Sequence, residues 1–169
     1  MTALSLADVK AYLRYTNDSS DGPLTLMLKA GQNWVERYTS HLLTQREVTQ
    51  TASTFKAFHD LRWRPFVPDS LSISYLDANM AEQAHGSFAS YLVGDAGRVV
   101  PFGSWPTSAR GVTFTYQAGY ETPDEVPDLY LQAIALYVGM SDEERTAFAA
   151  GGQTALHFML EDHHQPVIA

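Results

Sequence analysis

Apolar residues recur every three or four positions near the start of the chain, which is the spacing of an amphipathic helix. Ser5, with Asp8 three positions on, forms a variant of the capping box and predicts a helix over residues 5–16. A longer apolar stripe begins after Pro23, a residue that suits the first turn of a helix. This stripe predicts a second helix over residues 23–42.

The middle of the chain changes to a period of two, which is typical of strands. Alternation is clearest from Val112 to Ala118, and a Gly-Asp-Ala-Gly sequence at 94–97 marks a turn between two other strands. The pattern predicts strands between residues 47 and 118. They would form a small, mostly antiparallel sheet of about five strands.

Helical spacing returns in the last third. The nearly continuous apolar run predicts a buried helix over residues 127–140, and Ser141 with Glu144 indicates a new helix or a bend. A last short helix is predicted over residues 154–162. Because helices and strands are segregated along the chain, the fold class is α+β. The length of 169 residues favours one domain.

The charge is concentrated at one end. The chain carries eleven Lys and Arg against nineteen Asp and Glu, a net charge of −8, and residues 121–169 hold nine of the acids and one base. Stable binding to DNA or to an anionic membrane needs clustered cations and is therefore not expected. The chain has no cysteine, which excludes disulfide scaffolds, thiol catalysis and Cys-ligated metals.

Two short clusters suggest chemistry. His157 and Glu161 lie one helical turn apart and are followed by Asp162, His163 and His164, and such a cluster could hold a divalent metal. This cluster leaves open a small metal-dependent hydrolase. A solvated C-terminal segment is the favoured interpretation, because no second ligand group stands at a recognised spacing.

The second cluster interleaves bases and aromatic residues in Arg62-Trp63-Arg64-Pro65-Phe66. A module that binds single-stranded nucleic acid uses such residues to stack bases and to contact phosphates. Trp and Arg are also typical anchors of protein interfaces, and the acidic charge of the chain favours this second interpretation. We therefore expect an interface with another subunit or another protein at Arg62, Trp63, Arg64 and Phe66.

Several segments occur together in a particular order and spacing, within residues 5–140. They are Leu6–Arg14, Val35–Thr39, Ser74–Asn79, Gly97–Val100, Trp105-Pro106, Val112–Tyr120, Val126–Leu129 and Gln132-Ala133. In this order they resemble the phage head–tail connector family. The members of this family are head-completion adaptors that join the portal to the tail, and related proteins occur in prophages and gene transfer agents.

The resemblance implies a non-enzymatic virion protein without a cofactor, assembled in the host cytoplasm. Such adaptors form a ring, expected here to be a dodecamer, beneath the portal protein. Double-stranded DNA passes through the ring without stable binding, and a stopper or tail-completion protein docks on the far side. Residues 1–140 would form the adaptor domain. Residues 141–169 would form a C-terminal helix and tail that contact the portal.

The resemblance implies that the interface expected at Arg62, Trp63, Arg64 and Phe66 meets a neighbouring subunit or the tail side. It also assigns roles to two further sets of residues. The acidic side chains expected to face the DNA channel, where negative charge would repel phosphates, are Asp124, Glu125, Asp142 and Glu143. The apolar side chains expected to anchor the C-terminal segment on the portal are Leu156, Phe158, Met159 and Leu160.

Overall fold

The computed structural model describes residues 2–16, 18–143 and 152–163. Helices at both ends of the chain flank a central run of strands, so the predicted α+β class is confirmed. The length of the chain favoured one domain, but the structure divides into two compact units. The helical unit combines Met1–Thr44 with Tyr120–Ala169, and the strand unit comprises Gln45–Gly119. The predicted division into an adaptor domain of residues 1–140 and a C-terminal segment of residues 141–169 stays a prediction.

The described part of the helical unit contains four α-helices. They are α1 (Leu6–Leu13), α2 (Asp21–Thr39), α3 (Asp128–Glu143) and α4 (Gly152–Leu160). Short 3₁₀ turns at Pro123–Glu125 and Glu161–His163 precede α3 and follow α4.

Helix boundaries follow the local sequence signals. The side chain of Ser5 accepts the Asp8 N–H at 3.1 Å and the Asp8 carboxylate accepts the Ser5 N–H at 3.3 Å, which confirms the capping box of α1. Helix α2 ends at Thr39, three residues before the predicted position, because Ser40 adopts a left-handed backbone with φ 60°.

The last long helix extends further than its sequence signals predict. Helix α3 continues through Ser141 to Glu143, past the boundary expected at residue 140. Gly139 does not stop it, and no proline follows within the helix. Glu144, the other half of the expected capping box, lies outside the described residues. Helix α4 starts at Gly152, two residues before the predicted Thr154.

One apolar core holds the helices together. Its fully buried side chains come from α1, α2, α3, α4 and the segments beside them: Val9, Leu24, Leu28, Val35, Leu43, Val126, Tyr130, Ala133, Ile134, Val138, Leu156 and Leu160. Burial of a leucine, valine or isoleucine side chain contributes about 1.5–3 kcal/mol. The ring of Tyr137 on α3 packs against α2 at Gly31, where no side chain stands in its way.

The strand unit contains two antiparallel sheets. Its strands are β1 (Arg46–Ala52), β2 (His59–Asp60), β3 (Ser72–Leu76), β4 (Glu82–His85), β5 (Phe88–Val93), β6 (Ala96–Pro101) and β7 (Arg110–Ala118). One sheet has the order β1-β7-β3-β4 and the other the order β2-β6-β5. The strands therefore divide between two sheets where the sequence predicted one.

The strongest strand signals in the sequence correspond to strands of the structure. Strand β7 pairs with β1 and β3, and Val112, Phe114, Tyr116 and Ala118 along it are all buried. Strands β5 and β6 form the predicted hairpin, with Val93 paired to Ala96 across a two-residue turn.

Candidate functional site

The segment Arg62–Phe66 divides its side chains between surface and interior. Arg62 is exposed, and its guanidinium lies 4.8 Å from the ring centre of half-buried Trp63. Arg64 donates to the Asp95 carboxylate at 3.2 Å. Phe66 is only 3% exposed and packs against Tyr116. Within this segment, Arg62 and Trp63 remain as the candidates for the expected interface, whereas Arg64 and Phe66 are used inside the unit.

The apolar residues of α4 are also divided between buried and exposed positions. Leu156 and Leu160 are 2% and 0% exposed and belong to the helical core, and half-buried Met159 packs against that core. Phe158 lies on the opposite face of α4 and is 72% exposed. A portal contact through all four residues would require the helix to leave its core. Among the expected portal residues, Phe158 is the one whose ring is already open to a partner.

Two histidines near the C-terminus, His157 and His163, contact aromatic side chains, and His164 lies outside the described residues. The His157 ring stacks on Trp34 at 5.7 Å between centres and lies 5.0 Å from Tyr38, both on α2. His163 Nδ1 lies 3.1 Å from the Tyr130 hydroxyl. Residues 2–16, 18–143 and 152–163 contain no group of three or more His, Asp or Glu side chains that could hold a metal ion. These contacts explain the histidines as packing residues between α4 and the rest of the helical unit.

The expected channel acids lie on two segments. Asp124 and Glu125 are exposed in the 3₁₀ turn before α3, and the Glu125 carboxylate accepts the Glu121 N–H at 3.2 Å. Asp142 and Glu143 occupy the last turn of α3, and their side chains lie outside the described part of the structure. Their orientation toward a channel stays a prediction.

A cluster of rings in the strand unit was not apparent in the sequence. Phe55 and Trp105 stack at 4.3 Å with nearly parallel planes, and His59 and His85 lie against them. The buried His59 ring accepts the Lys56 N–H at Nε2, so the neutral ring carries its proton on Nδ1. Burial lowers the pKa of His59, and the Lys56 cation lowers it further. This histidine acts as a neutral packing group.

A groove in the helical unit was also missed by the sequence analysis. It has a volume of about 530 Å³ and lies between the start of the chain with α1 on one side and α3 on the other. Its lining residues are Leu4, Asp8, Tyr12, Leu131, Gln132, Ala135 and Leu136. The periodicity of α3 predicted burial on most sides, but it did not indicate that Leu136 remains partly exposed beside this groove.

Comparison with known proteins identifies similar folds among solved structures. No protein-family model matches the sequence, and no curated protein matches it significantly. A chain in the neck of an empty gene transfer agent particle, computed with C6 symmetry, superposes with a TM-score of 0.78 and 20% identity, over 99% of this chain and 92% of that one. A chain in the virion of a native gene transfer agent particle gives 0.77 and 19%, over 99% and 92%. A chain in the neck of the native particle, computed with C12 symmetry, gives 0.75 and 18%, over 99% and 91%.

This chain has the fold of a particle-neck protein. The resemblance to head–tail connectors is thereby confirmed at the level of the fold, because the match spans both the helical and the strand segments of the chain. Within the neck-protein fold, the groove beside α1 and the exposed ring of Phe158 are two apolar surface features of the helical unit. No helix within the described ranges is both long and apolar enough to cross a bilayer.

Proposed function

We propose that this protein is a structural component of a virion neck, a head–tail connector subunit of a tailed phage or a gene transfer agent. The observation that carries the proposal is the fold match over 99% of the chain to proteins of gene transfer agent particles. A match over 99% of the chain differs from a shared motif, because a motif would account for only part of the fold. The protein would act by assembly at the head–tail interface.

The subunits would form a closed ring, as the sequence resemblance implies. The similar chains come from neck structures computed with sixfold and twelvefold symmetry, and a dodecamer is the copy number we expect here. Closed rings require each subunit to present two different surfaces that complement each other. The exposed apolar side chains of the helical unit, including Tyr12 and Phe158, are available for such contacts.

DNA would pass through the ring without being held. The net charge of −8 opposes phosphate binding, and Asp124 and Glu125 are exposed where they can contribute negative potential. We propose these two acids, with Asp142 and Glu143, as channel-facing residues. A neutralised variant of all four would bind duplex DNA more tightly at low salt, and the gain would disappear as salt is raised.

The portal protein and the next connector or tail-completion protein are the proposed partners on the two sides of the ring. A portal contact through α4 would involve Phe158. Deletion of residues 153–169 is a poor test of this contact, because it also removes Leu156 and Leu160 from the core. A Phe158→Ser substitution leaves both core residues in place and separates portal binding from folding.

The two other functions considered from the sequence have less support. A metal-dependent hydrolase would use His157, which packs on Trp34 and Tyr38. A single-strand binding module would use Arg62, Trp63 and Arg64, of which Arg64 is paired with Asp95. Both alternatives also leave the full-length fold match unexplained.

Negative-stain imaging of the purified protein, alone and mixed with the portal protein encoded beside it, tests the proposal. We expect rings, either free or attached to the portal as an added layer. The matched control is the same mixture with an unrelated acidic protein of similar size. Monomers that never join the portal, at any concentration used, would contradict the proposed function.

A further inference from the structure

The groove between α1 and α3 is an apolar depression with a narrow polar border. Leu4, Leu131 and Leu136 contribute apolar lining, and Tyr12 stands beside them with 56% of its surface exposed. The Asp8 carboxylate at the border already accepts the Ser5 N–H, so it does not require a cation from a partner. This chemistry suits an apolar side chain that enters from outside.

The exposed ring of Phe158 supplies such a side chain. Leu156 and Leu160 point from α4 into the core, and Phe158 is two positions from each of them. Two positions correspond to about 200° around a helix, so the ring projects from the outer face of α4. A phenylalanine on the outer face keeps apolar surface in contact with water, and a partner that buried this surface would gain binding free energy.

The groove lies on the face of α3 that is opposite to the face carrying Tyr130 and Tyr137. Tyr130 contacts His163, at the end of the 3₁₀ turn that follows α4, and Tyr137 lies beside Trp34, on which His157 of α4 stacks. Tyr130 and Tyr137 are seven residues apart and so share one face of the helix. Successive residues are rotated by about 100° around the axis of a helix. The mean direction of the groove residues on α3 is therefore rotated by about 170–190° from that face. These residues are Leu131, Gln132, Ala135 and Leu136.

This placement fits a head-to-tail contact between copies. A projection on one side of a subunit and a complementary depression on the other are what a heterologous, ring-closing interface needs. Neither feature satisfies the other within one chain, since Phe158 is exposed and lines no part of the groove. We propose that Phe158 of one copy inserts into the groove between α1 and α3 of the next copy. This inference rests on the proposed function, which supplies the ring, and it replaces the portal contact considered there for Phe158.

A charge-reversal pair tests the contact. Phe158→Asp places a carboxylate on the projection, and Leu136→Lys places an ammonium group in the groove. Each variant alone should weaken self-association at least tenfold, because every interface in its ring would bury one unpaired charge. A 1:1 mixture should recover assembly, because copies that alternate around an even-numbered ring pair each introduced carboxylate with an introduced ammonium group. Leu26→Ser, at another exposed leucine in the helical unit, is the control and should assemble like the wild type.

Mass photometry, without and with the portal protein, reads the number of copies in each sample, and circular dichroism checks that each variant is folded. If both single variants assemble at the same protein concentration as the wild type, the inference is overturned. The proposal that the protein forms a ring would still stand. The inference also fails if Phe158→Asp forms normal protein rings but no longer binds the portal. The side chain of Phe158 would then serve the portal contact. A wild-type protein that stays monomeric under both conditions would instead overturn the proposed function.

Discussion

Gly97 lies directly beneath the ring of Phe66. A Cβ atom at position 97 would fall 2.7 Å from Phe66 Cγ and 2.8 Å from Leu61 Cδ1, which is closer than carbon atoms can approach. The glycine therefore allows the segment that precedes Phe66 to close over β6. The Leu61 N–H donates to the Gly97 carbonyl at 2.7 Å, and the Phe66 N–H donates to the Asp95 carbonyl at 2.9 Å.

Substitution of Gly97 should consequently destabilise the strand unit. We expect Gly97→Ala to lower the free energy of unfolding by about 1–3 kcal/mol, the usual effect of overpacking a filled core. Gly86→Ala is the matched control in the same unit, since a Cβ there meets nothing within 4 Å. Urea unfolding measures both variants. Equal stability of Gly97→Ala and Gly86→Ala would show that the ring of Phe66 moves aside freely.

The buried ring of His59 should make stability depend on pH. Its pKa is lowered from 6.5 by burial and by Lys56, so the unfolded chain binds this proton more readily than the folded chain. The stabilising effect of the neutral ring is full above pH 6.5 and is lost as the pH falls through the lowered pKa. His59→Gln keeps an acceptor for the Lys56 N–H and does not titrate. Between pH 7.5 and pH 5 the melting temperature of this variant should fall less steeply than that of the wild type. An equally steep fall would contradict the assignment.

The effect on stability of replacing Gly31 on α2 should depend on the size of the new side chain. A Cβ at this position would lie 3.0 Å from Tyr137 Cδ1, so a small shift of the ring accommodates alanine. Because alanine also favours the helix by about 1 kcal/mol over glycine, Gly31→Ala should be close to neutral. Gly31→Leu should destabilise by about 1–3 kcal/mol through overpacking. Gly22→Leu, where a Cβ meets nothing within 4 Å, controls for the side chain itself. Similar urea midpoints for Gly31→Leu and Gly22→Leu would refute the contact.

Glu36 connects three segments of the helical unit through buried hydrogen bonds. Its Oε1 accepts from Gln32 Nε2 at 2.9 Å and from the Leu43 N–H at 3.0 Å, and Gln32 Oε1 accepts the Ala3 N–H at 2.9 Å. Glu36→Ala should destabilise by about 2 kcal/mol or more, because it leaves buried donors without an acceptor. Exposed Glu47→Ala should change stability by less than about 0.5 kcal/mol. Comparable losses for both variants in chemical denaturation would argue against the network.

Signals that depend on neighbouring residues were the most informative part of the sequence. The capping box at Ser5, the alternation along β7 and the turn after Val93 each depend on residues close in the chain, and each is present in the structure. Strand β4 was missed because it is a short edge strand without alternation, whose hydrogen bonds come from β3. The division into two sheets depends on which strands pair, and periodicity carries no information about pairing.

The candidate surfaces were less predictable for the same reason. The pattern marked Leu156, Phe158 and Leu160 as apolar, but only packing decides that the two leucines are buried and Phe158 is exposed. The groove combines Tyr12 with Leu136, which are more than a hundred residues apart in the chain. No local pattern connects such residues before the helices are packed together.

Native mass spectrometry of the protein bound to its portal tests the central claim most directly, because it counts the copies. We predict a single dominant species with twelve copies of this chain on one portal assembly. Only monomer, with the portal peak unshifted across the whole range of protein concentrations, would contradict the claim that the protein works as a ring-forming neck subunit.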